Sequence, residues 1–343
     1  MKILIIGGTK FLGRHLVRAA LQKNHEVTLF NRGKFSQEDF ENVEQIHGDR
    51  NVDLDKLANR RFDAVIDTCG YLPQTVKASA EALKNSAGQY VFISSISAYQ
   101  DYYQTNFDET AKLAELSKEQ KNKAEKIDAK SEINAVVLEE MYGALKVLCE
   151  REVKSAFPDR NLIVRSGLIV GAFDSTDRFT YWAMRISKGG KVFAPGSPNR
   201  FVQMIDAQDL AEWIVKMVED GENGIFNVTG KPFDLTFAKM LEEIKNVCES
   251  DAEFVWASEE FMKREAVEEW SEMPLYLAES REAAQGFLSA NIDKTLAKSL
   301  KFRPLSDTIR ETIDWRKTKT DELKAGISAE REAELIRKWS EQQ

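Results

Sequence analysis

The chain is short of the residues that most directly announce a chemistry. Its 343 residues include three cysteines, three histidines and seven prolines. Cys69, Cys149 and Cys248 stand far apart, which excludes a disulfide framework and the paired spacing of a zinc site. His15, His25 and His47 all lie near the start, leaving little for a histidine metal site or a Ser-His-Asp triad. No metal is expected. No apolar run is long enough to span a bilayer, and the first residues lack the organisation of a signal peptide. Positive charge is not in excess either: 48 Lys and Arg against 56 Asp and Glu leave a net −8. Such a chain is a poor default binder of nucleic acid or of an anionic membrane. These absences predict a protein of the reducing cytoplasm that meets a small-molecule substrate.

What is present is ordinary globular composition, 43% hydrophobic and 30% charged. The length suits one large domain or two closely joined ones. Short apolar runs alternate with helical spacing through the first half. Lys2–Ile6, Glu26–Phe30, Val43–Ile46, Ala64–Asp67, Tyr90–Ile93 and Asn161–Val164 read as strands. Phe11–Gln22, Thr75–Leu83 and Glu139–Ala156 read as helices. That order predicts an α/β fold with a doubly wound parallel sheet. In the second half, Phe179–Ser187 and Ala207–Val218 read as helices, Phe201–Ile205 and Gly224–Val228 as strands, and Phe233–Val247 includes a helix. Trp256, Trp270 and Trp315 read as packing residues. From Arg316 the chain is mostly charged and ends in an expected surface helix.

Gly7-Gly8-Thr9-Lys10-Phe11-Leu12-Gly13 joins the first strand to the first helix. A glycine-rich turn there lets backbone N–H groups and the helix dipole meet a dinucleotide pyrophosphate. Gly7 permits the turn, Gly8 leaves room for phosphate, and Gly13 lets the helix pack closely. Lys10 replaces the usual middle glycine and adds positive charge. Asn31-Arg32 ends the second strand, where an NAD site usually places an acid. Arginine suits the 2′-phosphate of NADP, so NADP(H) is preferred and NAD(H) remains possible. Asp49 and Arg50 follow the third strand and suit the adenine end. Gly70 would let the chain pass close to the cofactor, with Cys69 beside it as a small filler.

Downstream, Tyr142-Gly143-Ala144-Leu145-Lys146 places Lys146 one helical turn from Tyr142. A tyrosine with a pKa near ~10 is a poor base at neutral pH, and a neighbouring ammonium favours its phenolate. Ser94-Ser95 ends a strand at the sheet edge where ligands bind. A Ser/Tyr/Lys set beside a phosphate turn implies proton-coupled hydride transfer.

With these motifs, and with Ser97-Ala98-Tyr99, Phe201–Ala211 and Phe226-Asn227-Val228-Thr229-Gly230, the chain resembles the extended short-chain dehydrogenase/reductase superfamily, the NAD-dependent epimerase/dehydratase type. The resemblance covers roughly Met1 to Trp315. It implies a Rossmann domain (1–165, with 200–230 contributing back to it) and a smaller substrate domain (166–199 and 231–315), followed by a charged C-terminal helix (316–343). It selects Ser95, four residues before Tyr99, as catalytic with Tyr142 and Lys146, and it implies a monomer or homodimer.

Departures from the pattern shape the substrate reading. Lys10 resembles the branch that includes chloroplast stem-loop RNA-binding proteins. Leu168 stands where nucleotide-sugar enzymes carry an asparagine, and leucine cannot donate to a phosphate. Ser95 and Tyr142 are 47 positions apart, and the excess is Glu109–Lys130, in which 11 of 22 residues are charged. That segment reads as a solvated insertion, or alternatively as a lid. After the sixth strand, Arg178 is a candidate anion contact, with Tyr181 or Trp182 as a pocket wall; the alternative makes Asp177 a helix cap and the aromatics core. The leading expectation is an NADP(H)-dependent oxidoreductase of a small carbonyl or alcohol. The alternatives are an NAD-dependent nucleotide-sugar epimerase or dehydratase, and a non-catalytic RNA-binding or regulatory protein.

Overall fold

A computed structural model describes residues 1–34, 40, 43–129, 131, 133–282 and 285–342. Lys130 and Gln343, which end the charged segment and the C-terminal tail, lie outside them. The strands are β1 (Lys2–Ile6), β2 (Glu26–Asn31), β3 (Glu44–His47), β4 (Phe62–Asp67), β5 (Ala87–Ser95), β6 (Asn161–Ser166), β7 (Leu168–Val170), β8 (Lys191–Pro195), β9 (Met204–Asp206), β10 (Gly224–Val228) and β11 (Glu253–Ala257). The main sheet runs β10-β6-β5-β4-β1-β2-β3, every pairing parallel. The chain winds outward from β1 to β3, returns to β4 and winds the other way. The order therefore reverses beside β1, the crevice in which such sheets bind ligands.

The period of two in β1 divides its side chains between two cores. Ile3 and Ile5 pack with Leu16 and Val17 of α1 (Phe11–Gln22), and with Leu210 and Ile214 of the Ala207–Glu219 helix. Leu4 and Ile6 pack on the other face with Val76 and Ala80 of α2 (Pro73–Leu83), and with Cys149 and Val153 of the Tyr142–Ala156 helix. A sheet buried on both faces explains why these strands read as continuous apolar runs rather than alternating ones. A third cluster in the second half gathers Trp182, Phe193, Phe237 and Phe261, and β8 pairs there with β11.

Several expected boundaries shift. The strand expected at Phe201–Ile205 is reduced to β9, because Val202 N–H turns to the Leu235 carbonyl and Phe201 makes an isolated bridge to Thr236. The helix expected from Glu139 begins as a 3-10 turn (Glu139–Met141) and becomes α-helical at Tyr142. The C-terminal helix forms at Ala329–Ser340 but is more than a surface helix. Leu335 is fully buried, and Glu332 accepts from Arg185 Nε at 2.6 Å and from the Phe193 N–H at 3.1 Å.

Candidate active site

The turn after β1 has a backbone that could receive an anion. Gly7 and Gly8 have φ of +103° and +86°, conformations that side chains resist. A Cβ on Gly13 would stand 2.6 Å from Gly8 Cα, so only glycine lets α1 approach the turn this closely. The start of α1 has no side-chain cap and no acidic residue in its first turn. Its free N–H groups and positive dipole end are thus left to a ligand. Thr9 is buried and Leu12 faces the core, so backbone rather than those side chains lines the turn. Phe11, at φ +24°, sets its ring edge-on to His15, while Lys10 is exposed. These residues fit a dinucleotide diphosphate.

The expected adenosine end divides into open and closed groups. Arg32 is exposed at the end of β2, beside Asn31, whose Oδ1 accepts from the Gly33 N–H at 2.7 Å. Asp49 Oδ1 holds the backbone and side-chain nitrogens of Asn51 at 2.9 and 2.8 Å. Arg50 corrects its expectation. Its guanidinium turns inward to Asp67 with contacts of 2.7 and 2.6 Å and also donates to Ser79, so it is spent on the protein interior. The Arg50 charge and the Tyr90 hydroxyl hold the Asp67 carboxyl below its usual range despite complete burial. Cys69 is half-buried above this pair, its thiol pushed up by desolvation.

Tyr142 and Lys146 lie on one face of the Tyr142–Ala156 helix. Lys146 is buried and donates to the carbonyls of Gly70 at 2.8 Å and Ile93 at 2.7 Å. An ammonium has three donors, so one remains. The Nζ stands 5.9 Å from the centre of the Tyr142 ring. The Tyr142 hydroxyl has no hydrogen-bond partner among the described residues. Ser94 and Ser95 separate cleanly: Ser94 Oγ is committed to Glu150 at 2.6 Å, while Ser95 Oγ stays in its turn, 3.1 Å from both the N–H and the hydroxyl of Ser97. Glu150 also receives Arg165 at 3.0 and 2.8 Å, a second buried pair.

Gly143 joins helix and serine turn, a role sequence reasoning missed. A Cβ there would fall 1.8 Å from the Ser97 carbonyl oxygen. The glycine next to a YxxxK tyrosine was the available signal. The charged segment is largely exposed, and its Lys118–Ala124 helix buries no residue, but a few of its apolar side chains lie against this region. Its helix, Lys118–Ala124, starts on a capping box of Ser117 and Gln120. Leu116, Ile127 and Ala129 pack with Tyr71, Leu72 and Tyr142, and the Ala129 carbonyl accepts from Asn51 Nδ2 at 3.0 Å. Glu109 anchors the near end by accepting the Asn227 N–H at 2.7 Å.

Of the three expected substrate contacts, only Arg178 remains open. Tyr181 and Trp182 correct the pocket-wall expectation: both are buried, their rings meet edge-to-face with centroids 5.0 Å apart, and the Trp182 indole donates to the Pro274 carbonyl. Asp177 occupies the cap position of the Arg178–Ile186 helix, but its carboxylate accepts the Lys324 N–H instead. Arg178 is half-buried over the Trp270 ring at 5.0 Å, with no hydrogen-bond or ion-pair partner among the described residues. A second case, unanticipated from sequence, is Arg200, whose Nε and Nη2 are buried without partners among the described residues. Leu168 begins β7 inside the core, where it contributes no polar group. A cavity of about 770 Å³ lies at the opposite edge of the sheet, lined by Lys2, Thr28, Arg60 and Asp63, away from all these motifs.

The reversed parallel sheet, phosphate turn and Tyr/Lys helix define the extended short-chain dehydrogenase/reductase class. The chain belongs to the NAD dependent epimerase/dehydratase family, whose model matches residues 3–229. A curated relative, the chloroplast stem-loop binding protein of 41 kDa b of Arabidopsis thaliana, is 37% identical over 114 residues. That match takes in 29% of this chain and 30% of the relative's length. Among solved structures, the fold is similar to UDP-N-acetylglucosamine 4-epimerase from Methanobrevibacter ruminantium M1 in complex with UDP-N-acetylmuramic acid. The TM-score is 0.66 at 19% identity, covering 93% of this chain and 99% of that one. It is also similar to UDP-glucuronic acid 4-epimerase from Bacillus cereus in complex with NAD, with a TM-score of 0.62 at 16% identity and coverage of 93% and 99%. Among the described residues, no helix is long and apolar enough to cross a membrane.

Proposed function

We propose that this chain catalyses hydride transfer at a hydroxyl-bearing or carbonyl carbon of a small-molecule substrate, with Tyr142 as acid/base. The observation that carries this reading is the Tyr142 hydroxyl without a partner among the described residues, one helical turn from a lysine fixed by the Gly70 and Ile93 carbonyls. A nicotinamide dinucleotide, when bound, supplies the hydride acceptor or donor. The glycine turn and the open start of α1 would hold its diphosphate, and the third donor of Lys146 would meet its ribose hydroxyls. Tyr142 takes the hydroxyl proton as the substrate carbon gives up its hydride, and returns it in the reverse direction. The Lys146 ammonium stabilises the phenolate between these events. Ser95 donates to the substrate oxygen as charge develops there. Arg32 favours NADP(H) by offering its guanidinium to a 2′-phosphate. The two larger cores would divide the work, 1–165 with 200–230 serving the cofactor and 166–199 with 231–315 the substrate.

A second reading, an epimerase or dehydratase that returns the hydride to the same substrate, is supported by the charged segment. Its contacts run from Glu109 at β10 to Ala129 at Asn51, along the cleft assigned to the cofactor. A retained cofactor suits an internal redox cycle, and the structural neighbours named above are sugar-nucleotide 4-epimerases. Leu168 weighs against the usual phosphate contact of that group.

Parallel titrations of the nucleotide-stripped protein with NADPH and NADH test the cofactor. Tyr142→Phe tests the chemistry: turnover should fall about 10²–10⁴-fold with cofactor affinity unchanged. Full activity would remove the acid/base assignment, and binding of neither nucleotide would bring the non-catalytic reading forward. Release of cofactor at each turnover separates an exchanging reductase from an internal cycle.

A further inference from the structure

Arg178 is held differently from the two arginines sealed beside the sheet. Arg50 and Arg165 each meet a carboxylate at hydrogen-bonding distance on two nitrogens. Arg178 meets an aromatic face and no hydrogen-bond acceptor among the described residues. The nearby Asp174 makes no hydrogen bond or ion pair with it among the described residues; its oxygens accept from the Thr176 N–H and hydroxyl at 2.8 Å. It contributes only field across a gap, and burial lowers the proton affinity of Arg178 in spite of it. Partial desolvation without a partner costs free energy unless a ligand compensates it.

Its support is also unusual. Trp270 has φ +70°, a left-handed conformation that a bulky side chain adopts only under constraint. The constraint is local: the Trp270 N–H donates to the Met273 carbonyl at 3.1 Å, closing a turn that aims the indole at Arg178. The other side of Trp270 meets Phe287 at 5.7 Å, and Phe287 meets Tyr102 at 4.8 Å. Tyr102 donates to the Ile96 carbonyl at 3.0 Å, inside the turn that carries Ser95 and Ser97. A chain of edge-to-face aromatic contacts therefore links the serine turn to the guanidinium.

From this arrangement we infer that Arg178 is the specificity-determining contact of the site, selecting a substrate whose reacting portion carries an anionic substituent, a carboxylate or a phosphate. This rests on the reading of Tyr142 as the reacting centre and deepens it. The free guanidinium edge matches either group bidentately, and these aromatic rings match the apolar face of a sugar-like ring between the anion and the reacting carbon. A neutral substrate would leave the guanidinium desolvated and unpaired, which is how such a site rejects it.

The test uses pairs of probes that differ in charge: glucose against glucuronate and glucose 6-phosphate, and UDP-glucose against UDP-glucuronate. Each is titrated calorimetrically into the full chain, with and without bound nucleotide. The charged member of at least one pair should bind roughly tenfold tighter or more, and Arg178→Met should erase that difference. Arg178→Lys should restore part of it, and unchanged melting in both variants shows that they fold. The glucuronate and glucose 6-phosphate arms separate carboxylate from phosphate. Equal affinity within every pair, a preference that survives Arg178→Met, or no saturable binding of any probe overturns the inference. Tyr142→Phe carried in parallel keeps the two readings apart: it should retain the preference for charge while losing turnover. An active Tyr142→Phe protein with the preference intact would sink the acid/base assignment alone.

Discussion

Four partly or fully buried arginines divide this molecule into two regimes. In the sheet, Arg50 with Asp67 and Arg165 with Glu150 form closed pairs, reinforced by hydrogen bonds from Tyr90 and Ser94. In the second half, Arg178 and Arg200 are drawn from solvent with nitrogens unspent. The second half also holds closed arginines, Arg185 on Glu332 and Arg303 on Asp209, so the contrast lies between sites and not between halves of the chain. The difference is whether the fold itself supplies a carboxylate within reach. Charge that is meant to hold structure is neutralised internally, because an uncompensated buried ion is too costly to keep. Charge left open at Arg178 is, on the inference drawn above, stability withheld for a ligand.

The strongest test of this contrast is to remove a closed arginine. Arg50→Met and Arg165→Met should each cost about 3–5 kcal/mol, since Asp67 or Glu150 is then stranded without its partner. Urea unfolding measures this, and Arg178→Met under the same conditions should differ little from the parent chain. Equal losses at all three positions would erase the distinction. Next in size is Gly143→Ala, whose methyl group must displace the Ser97 carbonyl. It should cost about 1–3 kcal/mol and lower turnover more than cofactor affinity. A variant with normal kinetics would show that the helix and the serine turn need not touch. Arg32→Asp comes third: NADPH affinity should fall roughly 10- to 100-fold while NADH affinity changes much less. Equal losses would leave Arg32 a surface residue.

The smallest expected effect concerns His15, which extends the same rule to a neutral group. Its ring is buried, lies 3.1 Å from the Ala172 carbonyl, and its pKa is lowered from 6.5 chiefly by desolvation. Below that ordinary value the unfolded chain takes up a proton that the folded chain refuses. The contribution of His15 is therefore complete above about pH 6.5 and is lost as the pH falls through the depressed folded value. Comparing the pH dependence of urea midpoints for the parent chain and His15→Phe measures it. The variant should show a flatter decline on the acid side, and identical profiles would remove His15 as a source of that decline.

Legibility in the sequence followed locality. The first sheet strands, α1 and the Ala207–Glu219 helix were readable because their signals are periodic and contiguous. So was the Tyr142–Lys146 spacing, which needs only one helical turn. β8 and β11 escaped because they are short and find each other across roughly sixty intervening residues, a pairing that no local pattern encodes. Arg50 was misassigned for a related reason. Its place after the third strand pointed to the cofactor, but Asp67, seventeen residues later, claims it in the interior. Tyr181 and Trp182 failed as a pocket wall because helical spacing does not say which face a neighbouring layer will cover.

The sequence by itself determined the doubly wound architecture, the glycine turn and the pairing of tyrosine with lysine. Each depends on backbone conformation or on side chains a few residues apart. Tertiary structure decided which arginines are sealed and which are open, which serine is spent on Glu150, and where the charged segment lies. Those outcomes depend on partners brought together from distant positions, and on how much water is excluded when they meet.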